Sequence, residues 1–382
     1  MKKSILVIML TLLCFTSMIP AQNDSLTTSF LFNRNAIVFQ LSPNVFAEIL
    51  PEIELLSGVL SQTSWIKQAG PVGNGNKYFQ RLKSFFKEYE NNEAIKLAQE
   101  LNDRGFGFDA PPGFILQLGP LPDLEKSIIP ENYINRAGGM EILEKFRIAL
   151  RNLSQESKFL EFFLSERKYL KEVVESTIKG FDAARITKWL NDFFGYKGDE
   201  FHILFAPAMF PGGGYGASRT IGDKKIVFQV IREQGLSQDK PFFCNPMDLV
   251  ALTFHEFGHA FINPAFEEYN KLIEELKLGD LFNPVETKMR NMAYPTLGTF
   301  INELHVRAMT IIALEEYAGG SVSTVKLIEM EKERGFYPIV YTYSKLKEYS
   351  ESRKYYPTFK KFIPDLLHEY GNNKNELLKL AE

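Results

Sequence analysis

The pentapeptide HEFGH at residues 255–259 constrains this chain more than any other stretch, because its spacing makes sense only on an α-helix. Positions four apart on a helix differ by about 40° around the axis and about 6 Å along it, so His255 and His259 project side by side. Two imidazoles so placed can grip one metal ion. Glu256 sits about 100° around from His255, outside the ligand pair but close to the open side of such an ion. The helix also carries its own boundary signals. Asn245 suits the cap, Pro246 suits the first helical position, and Asp248 can return a hydrogen bond to the cap. Pro264 predicts the end, giving a helix of about seventeen residues, and Phe254, Phe257 and Phe261 mark its buried face.

These residue types suit metal-assisted hydrolysis. A catalytic zinc keeps three protein ligands and one open position. It lowers the pKa of water to about 7, so that a neighbouring carboxylate can take the proton as the oxygen attacks a carbonyl. In that reading His255 and His259 are ligands and Glu256 is the general base. The metzincin extension would need glycine at 262 and histidine at 265, and Ile262 and Ala265 exclude it. The third ligand is sought on TFINELHVRAMTIIALEEYAGG (299–320), which is apolar nearly all round and ends at a glycine pair. Buried charges need partners or a metal, so Glu303 is the preferred third ligand. The plainer alternative is an ion pair between Glu303 and Arg307, four residues on, and Arg307 could also orient Glu303 from behind. His305 is the rival ligand, about 200° around the helix from Glu303, so the two cannot face one ion together. Glu267, Glu268 and Glu286 are more remote candidates, and His202 and His368 read as isolated residues.

Charge and leader narrow the setting. The chain has 382 residues, a net charge of −3 and no basic block that would track a phosphate backbone, so nucleic acid is not an expected partner. Lys2 and Lys3 followed by the apolar run from Ile5 to Phe15 read as an export signal, too short to span a bilayer, with cleavage after Ala21. Loss of those two lysines takes the charge from −3 to −5. The expected product is periplasmic or secreted, and Leu13 before Cys14 argues against lipidation. No later segment has the apolar length of a membrane span. With Cys14 gone, Cys244 stands alone, and an internal disulfide is impossible.

The rest of the chain divides in two. Residues 22–194 predict a mainly helical region, with one strand at AIVFQL, one helix at AEILPEIELLSGVL, and amphipathic helices over 78–100 and 140–194. Between these, the proline-rich stretch from Pro111 to Pro122 reads as a loop. Residues 195–382 predict the catalytic region, and nothing between the two regions prevents one compact unit. In the second region FHILFAPAMF and KKIVFQVI read as a hairpin beside the motif helix, with PGGGYGAS as a turn or irregular edge that could receive an extended peptide. The expected class is α+β, mainly helical, with a small sheet beside the motif helix.

HEFGH on a capped helix, followed by NELHVRA on a second helix, resembles the gluzincins, the glutamate-ligand zinc metallopeptidases. The order FDAPPGFILQL, FAPAMFPGGGYG, HEFGHAFINP, NELHVRA and YYPTFKKFIP is more closely similar to an uncharacterised exported bacterial family catalogued as a domain of unknown function. The resemblance implies a zincin-like catalytic region, one Zn²⁺ per chain on His255, His259 and Glu303, and a base role for Glu256, but no known substrate; the expected activity is that of a zinc hydrolase acting on a peptide or protein. Such peptidases usually add a tyrosine or histidine that donates to the developing oxyanion. No motif places it here, and GFYPIVYTYSKLKEY offers Tyr337, Tyr341 and Tyr343, of which Tyr341 and Tyr343 are the candidates. A zinc hydrolase of a non-peptide substrate and a non-catalytic, zincin-shaped binding protein are the alternatives.

Overall fold

Short runs of β-branched and aromatic residues build a five-stranded mixed sheet on which the motif helix rests. The computed structural model describes residues 35–65, 76–209, 214–237, 240–292 and 294–381. The expected export signal, Cys14 and most of the GPVGNGN turn lie outside them. The strands are β1 (Ile37–Ser42), β2 (Val45–Ile49), β3 (Glu200–Ala206), β4 (Gly214–Ile221) and β5 (Lys224–Arg232), in the order β1-β2-β3-β5-β4. β1 and β4 run antiparallel to their neighbours, while β2, β3 and β5 are parallel. β6 (Gly235–Ser237) and β7 (Lys240–Phe242) form a separate small ribbon.

Two sequence expectations change here. FHILFAPAMF and KKIVFQVI are parallel neighbours, and the hairpin is β4 with β5, turning at Gly222 with φ +58°. GYGASRTI lacks apolar alternation because it is an edge strand, bonded to β5 on one side only, and such strands need little hydrophobic pattern. The stretch expected as one helix from Ala47 begins instead as β2, and helix starts at Pro51, the first-turn position that proline favours.

Helices fill the connection between β2 and β3: α1 (Pro51–Leu60), α2 (Lys77–Lys87), α3 (Glu93–Asp103), α4 (Ala110–Ile115), α5 (Glu131–Ala137), α6 (Met140–Glu156), α7 (Phe159–Ser165), α8 (Arg167–Thr177) and α9 (Ala183–Phe194). Asn76 and Asn92 cap α2 and α3 by accepting from the backbone N–H groups of Phe79 and Ala94. After the sheet come α10 (Pro246–Glu267), α11 (Asn270–Glu275), α12 (Glu286–Asn291), α13 (Leu297–Ala318), α14 (Thr324–Arg334), α15 (Ile339–Glu351), α16 (Phe359–Asn372) and α17 (Lys374–Lys379). The class is thus mainly helical α+β with a small sheet. All described residues fall in a single compact unit, since β2 from the N-terminal region pairs with β3 along Val45–Glu48. Among the described residues no helix is long and apolar enough to cross a membrane.

The motif helix α10 is longer than expected, running through Pro264 to Glu267. Proline at 264 cannot donate to the carbonyl of Ala260, and Lys225 Nζ on β5 takes that place at 3.4 Å. The helix therefore continues without an orphaned carbonyl. Its start also differs in detail: Pro246 holds the first position, but Asn245 Nδ2 donates to Asp248 Oδ2 at 3.2 Å instead of its side chain capping the backbone. Phe257 packs on Phe201 of β3 with ring centres 4.6 Å apart, and Phe261 stacks on Phe194 of α9 at 4.5 Å. Each fully buried phenylalanine contributes about 1.5–3 kcal/mol, so these contacts pin α10 to the sheet and α9 and leave its other side for chemistry.

Candidate metal centre

α10 and α13 cross where α10 carries a glycine. A Cβ built on Gly258 would stand 2.3 Å from Met309 Cε and 3.7 Å from Val306 Cγ1. The missing side chain lets α13 come close enough for Glu303 to reach the histidines. His255 Nε2 lies 3.7 Å from Glu303 Oε2, and His259 Nε2 lies 3.2 Å from Glu303 Oε1. One ligand atom from each of the three lies within 4.8 Å of those of the other two. Four donors about 2.0–2.1 Å from a tetrahedral zinc stand about 3.4 Å apart, so the set fits such an ion after small side-chain adjustments. Its chemistry fits too, being two imidazole nitrogens and one carboxylate.

Second partners orient these groups. His259 Nδ1 lies 3.1 Å from Asn263 Oδ1, and an N–H donated there leaves Nε2 with the lone pair a metal needs. Glu303 Oε2 accepts from Arg307 Nε at 3.1 Å, while Arg307 Nη1 donates to Glu331 on α14 at 2.8 Å and Nη2 to the Tyr294 hydroxyl at 3.0 Å. Arg307 Cζ lies over the Phe336 ring, 4.6 Å from its centre. The pairing of Glu303 with Arg307 and the approach of Glu303 to the histidines thus occur together. The side chains of His255 and His259 keep 18% and 19% exposure, which leaves one side of the cluster open to water or substrate.

Glu256 points to the opposite wall. Its Oε2 is 2.9 Å from where a Cβ on Gly216 would stand, and its Oε1 is 3.5 Å from that of Gly214. These two β4 glycines make room for the carboxylate. Burial raises Glu256 to about 7, with His259 opposing and Glu303 adding, a value suited to a base near neutral pH. From these side chains alone the two histidines part: burial holds His255 down to about 3, whereas for His259 the Glu303 carboxylate outweighs burial and raises it to about 9. Burial works against the charge of Glu303, but His259, His255 and Arg307 together hold it well below the usual carboxylate range.

The other expected residues lie elsewhere. His305 is buried, its Nδ1 donating to Ile301 O at 2.7 Å and its Nε2 3.3 Å from the Tyr370 hydroxyl, so it faces away from the cluster. The structure does not bring Tyr341 or Tyr343 to the histidines. The Tyr341 hydroxyl donates to Glu369 and its ring packs on Tyr370, on the His305 side, while Tyr343 donates to Glu315 at 2.6 Å. Glu315 is twelve residues beyond Glu303 on α13, about 18 Å along the axis. Tyr337 donates to Leu281 O. Tyr294 does place a hydroxyl by the cluster, bonded to Arg307; burial suppresses its ionisation and the charges of Glu303 and Glu256 disfavour it further. No motif announces Tyr294 or Glu331; Asn263, four residues after His259, was available from helical spacing. His202 is not isolated either, since it lies between Glu48 and Glu200 in the sheet.

A family model described as Domain of unknown function (DUF4932) matches residues 41–368. The chain belongs to the DUF4932 family. The match runs from β1 into α16 and so includes His255, Glu256, His259, Asn263, Tyr294, Glu303, Arg307 and Glu331. No curated protein and no solved structure matches this DUF4932 chain significantly.

Proposed function

We propose that this DUF4932 protein is a zinc-dependent hydrolase, a peptidase of the gluzincin type. The observation that carries the reading is the convergence of His255, His259 and Glu303 on one point, with Glu256 on the adjoining helix position. Zinc held by His255 Nε2, His259 Nε2 and the Glu303 carboxylate would supply a Lewis acid that polarises a carbonyl and acidifies water. Glu256 takes a proton from the attacking water and returns it to the leaving nitrogen. Arg307 keeps Glu303 ionised and oriented. The Tyr294 hydroxyl accepts from Arg307, so its own proton is uncommitted among the described residues and is available to an oxyanion.

Peptide is favoured over other substrates by the edge of the sheet. β4 ends the strand order, and Gln117 Nε2 donates to Ser218 O at 3.1 Å, closing its far half. Among the described residues no strand pairs with the outer side of the half from Gly214 to Ala217, beside Glu256, which an extended chain could join through its backbone. The test is a peptide-library digest with the zinc-loaded protein and its Glu256→Gln variant. Cleavage by the parent alone supports the reading, whereas equal cleavage or none by either removes the peptidase.

A further inference from the structure

Gln229 sits in the middle of β5 with no exposure, and neither its Nε2 nor its Oε1 has a hydrogen-bond partner. Buried side-chain amides are rarely left unpaired, so this one calls for a partner. Its register shows what it faces. Gln229 is opposite Gly216 on antiparallel β4, and directly opposite residues share a face with Cβ positions about 4.5–5.5 Å apart. That is the face covered by α10, where Glu256 Oε2 occupies the space beside Gly216 and Oε1 the space beside Gly214. On its other flank Gln229 has Ile203 of β3, which offers no polar atom from its side chain. Thr253, buried on α10, already donates to Leu249 O. Glu256 itself makes no hydrogen bond to another described residue, so two unpaired polar groups face each other across a gap made by glycine.

We propose that Gln229 is a positioning residue for Glu256: its carboxamide N–H donates to the Glu256 carboxylate, directly or across one buried water, and fixes the carboxylate against β4. A water between them would have two polar partners to hold it. The assignment of Glu256 as base rests on the proposed function, but the contact itself does not.

The test is a thermal-unfolding cycle on metal-free protein with Gln229→Met, Glu256→Ala and the double variant. A contact between the two side chains makes the Tm shifts non-additive by about 2 °C or more. Additive shifts overturn the proposal. Should Gln229→Met fail to fold, Gln229→Asn, which keeps the amide and withdraws it by one methylene, takes its place in the cycle. In zinc-loaded protein acting on a peptide, loss of positioning lowers kcat about tenfold or more while KM holds, and an unchanged kcat also overturns it. If the parent cleaves no peptide, the function reading fails while the thermal cycle still decides the contact.

Discussion

Gly258 and Met309 meet where α10 and α13 cross, with only 2.3 Å between the methionine Cε and the place of a Cβ on the glycine. The relationship explains why the fourth residue of HEFGH is small. It also sets the distance from Glu303 to the two histidines.

Gly258→Ala should therefore destabilise the protein and weaken zinc binding. Helix propensity alone would make the change stabilising by about 1 kcal/mol, and overpacking typically costs about 1–3 kcal/mol. Met309 Cε is the far end of a flexible side chain, but Met309 is fully buried and has little room to turn aside, so the overlap is expected to win. Adding Met309→Leu, which withdraws the clashing methyl, should recover part of both losses. Chemical denaturation and zinc titration of the four proteins check this, and a more stable Gly258→Ala would contradict the close crossing.

Arg307→Met removes a partner of the buried Glu303 carboxylate and of the half-buried Glu331, which keeps Arg334, and the donor to Tyr294. Uncompensated buried charge costs about 3–5 kcal/mol, and loss of an orienting partner weakens metal affinity about 10–100-fold. Arg307→Lys should rescue little, because one ammonium cannot span three acceptors on different elements. Competition with a chelator measures the affinity, and full rescue by lysine would show that charge alone matters.

Tyr294→Phe should leave zinc content unchanged and lower kcat about 10²–10³-fold, the usual effect of removing one oxyanion donor. Tyr341→Phe and Tyr343→Phe should leave turnover as it is, since both hydroxyls are engaged away from the cluster. Steady-state kinetics on one peptide across the three variants would reverse this assignment if Tyr341 or Tyr343 proved the sensitive residue.

His202 supplies a pH dependence separate from the cluster. Burial favours its neutral form, but Glu48 at 3.1 Å and Glu200 at 2.8 Å outweigh burial and raise it to about 9. The folded value exceeds the unfolded one near 6.5, so the stabilisation is full below about 6.5 and is lost as pH rises through 9. The stability of the parent should fall over that window more steeply than that of His202→Gln. Equal slopes in denaturant titrations at pH 6, 7.5 and 9.5 would show that His202 is neutral throughout.

What was legible in the sequence followed local spacing. His255, Glu256 and His259 share one helix, and the burial of Glu303 was readable from the apolar surround of its own helix. The end of α13 at the Gly319 and Gly320 pair was equally plain, whereas its cap, Thr296, stands three residues before the stretch read as helix. Non-local partners left no such mark. Tyr294 and Glu331 reach Arg307 from different segments, so no periodicity ties them to it. β4 escaped because an edge strand lined with Gly214 and Gly216 has the composition of a turn, and its glycines are there to admit Glu256. Pro264 misled for a related reason, since the lysine that tends the freed Ala260 carbonyl comes from β5.

The most direct test of the account is metal content by elemental analysis of the purified parent, His255→Ala and Glu303→Ala proteins after reconstitution with zinc. About one zinc per chain is expected in the parent, the number one such site holds, and its loss in both variants. A parent without zinc, or a Glu303→Ala protein that keeps it, would contradict the three-residue site.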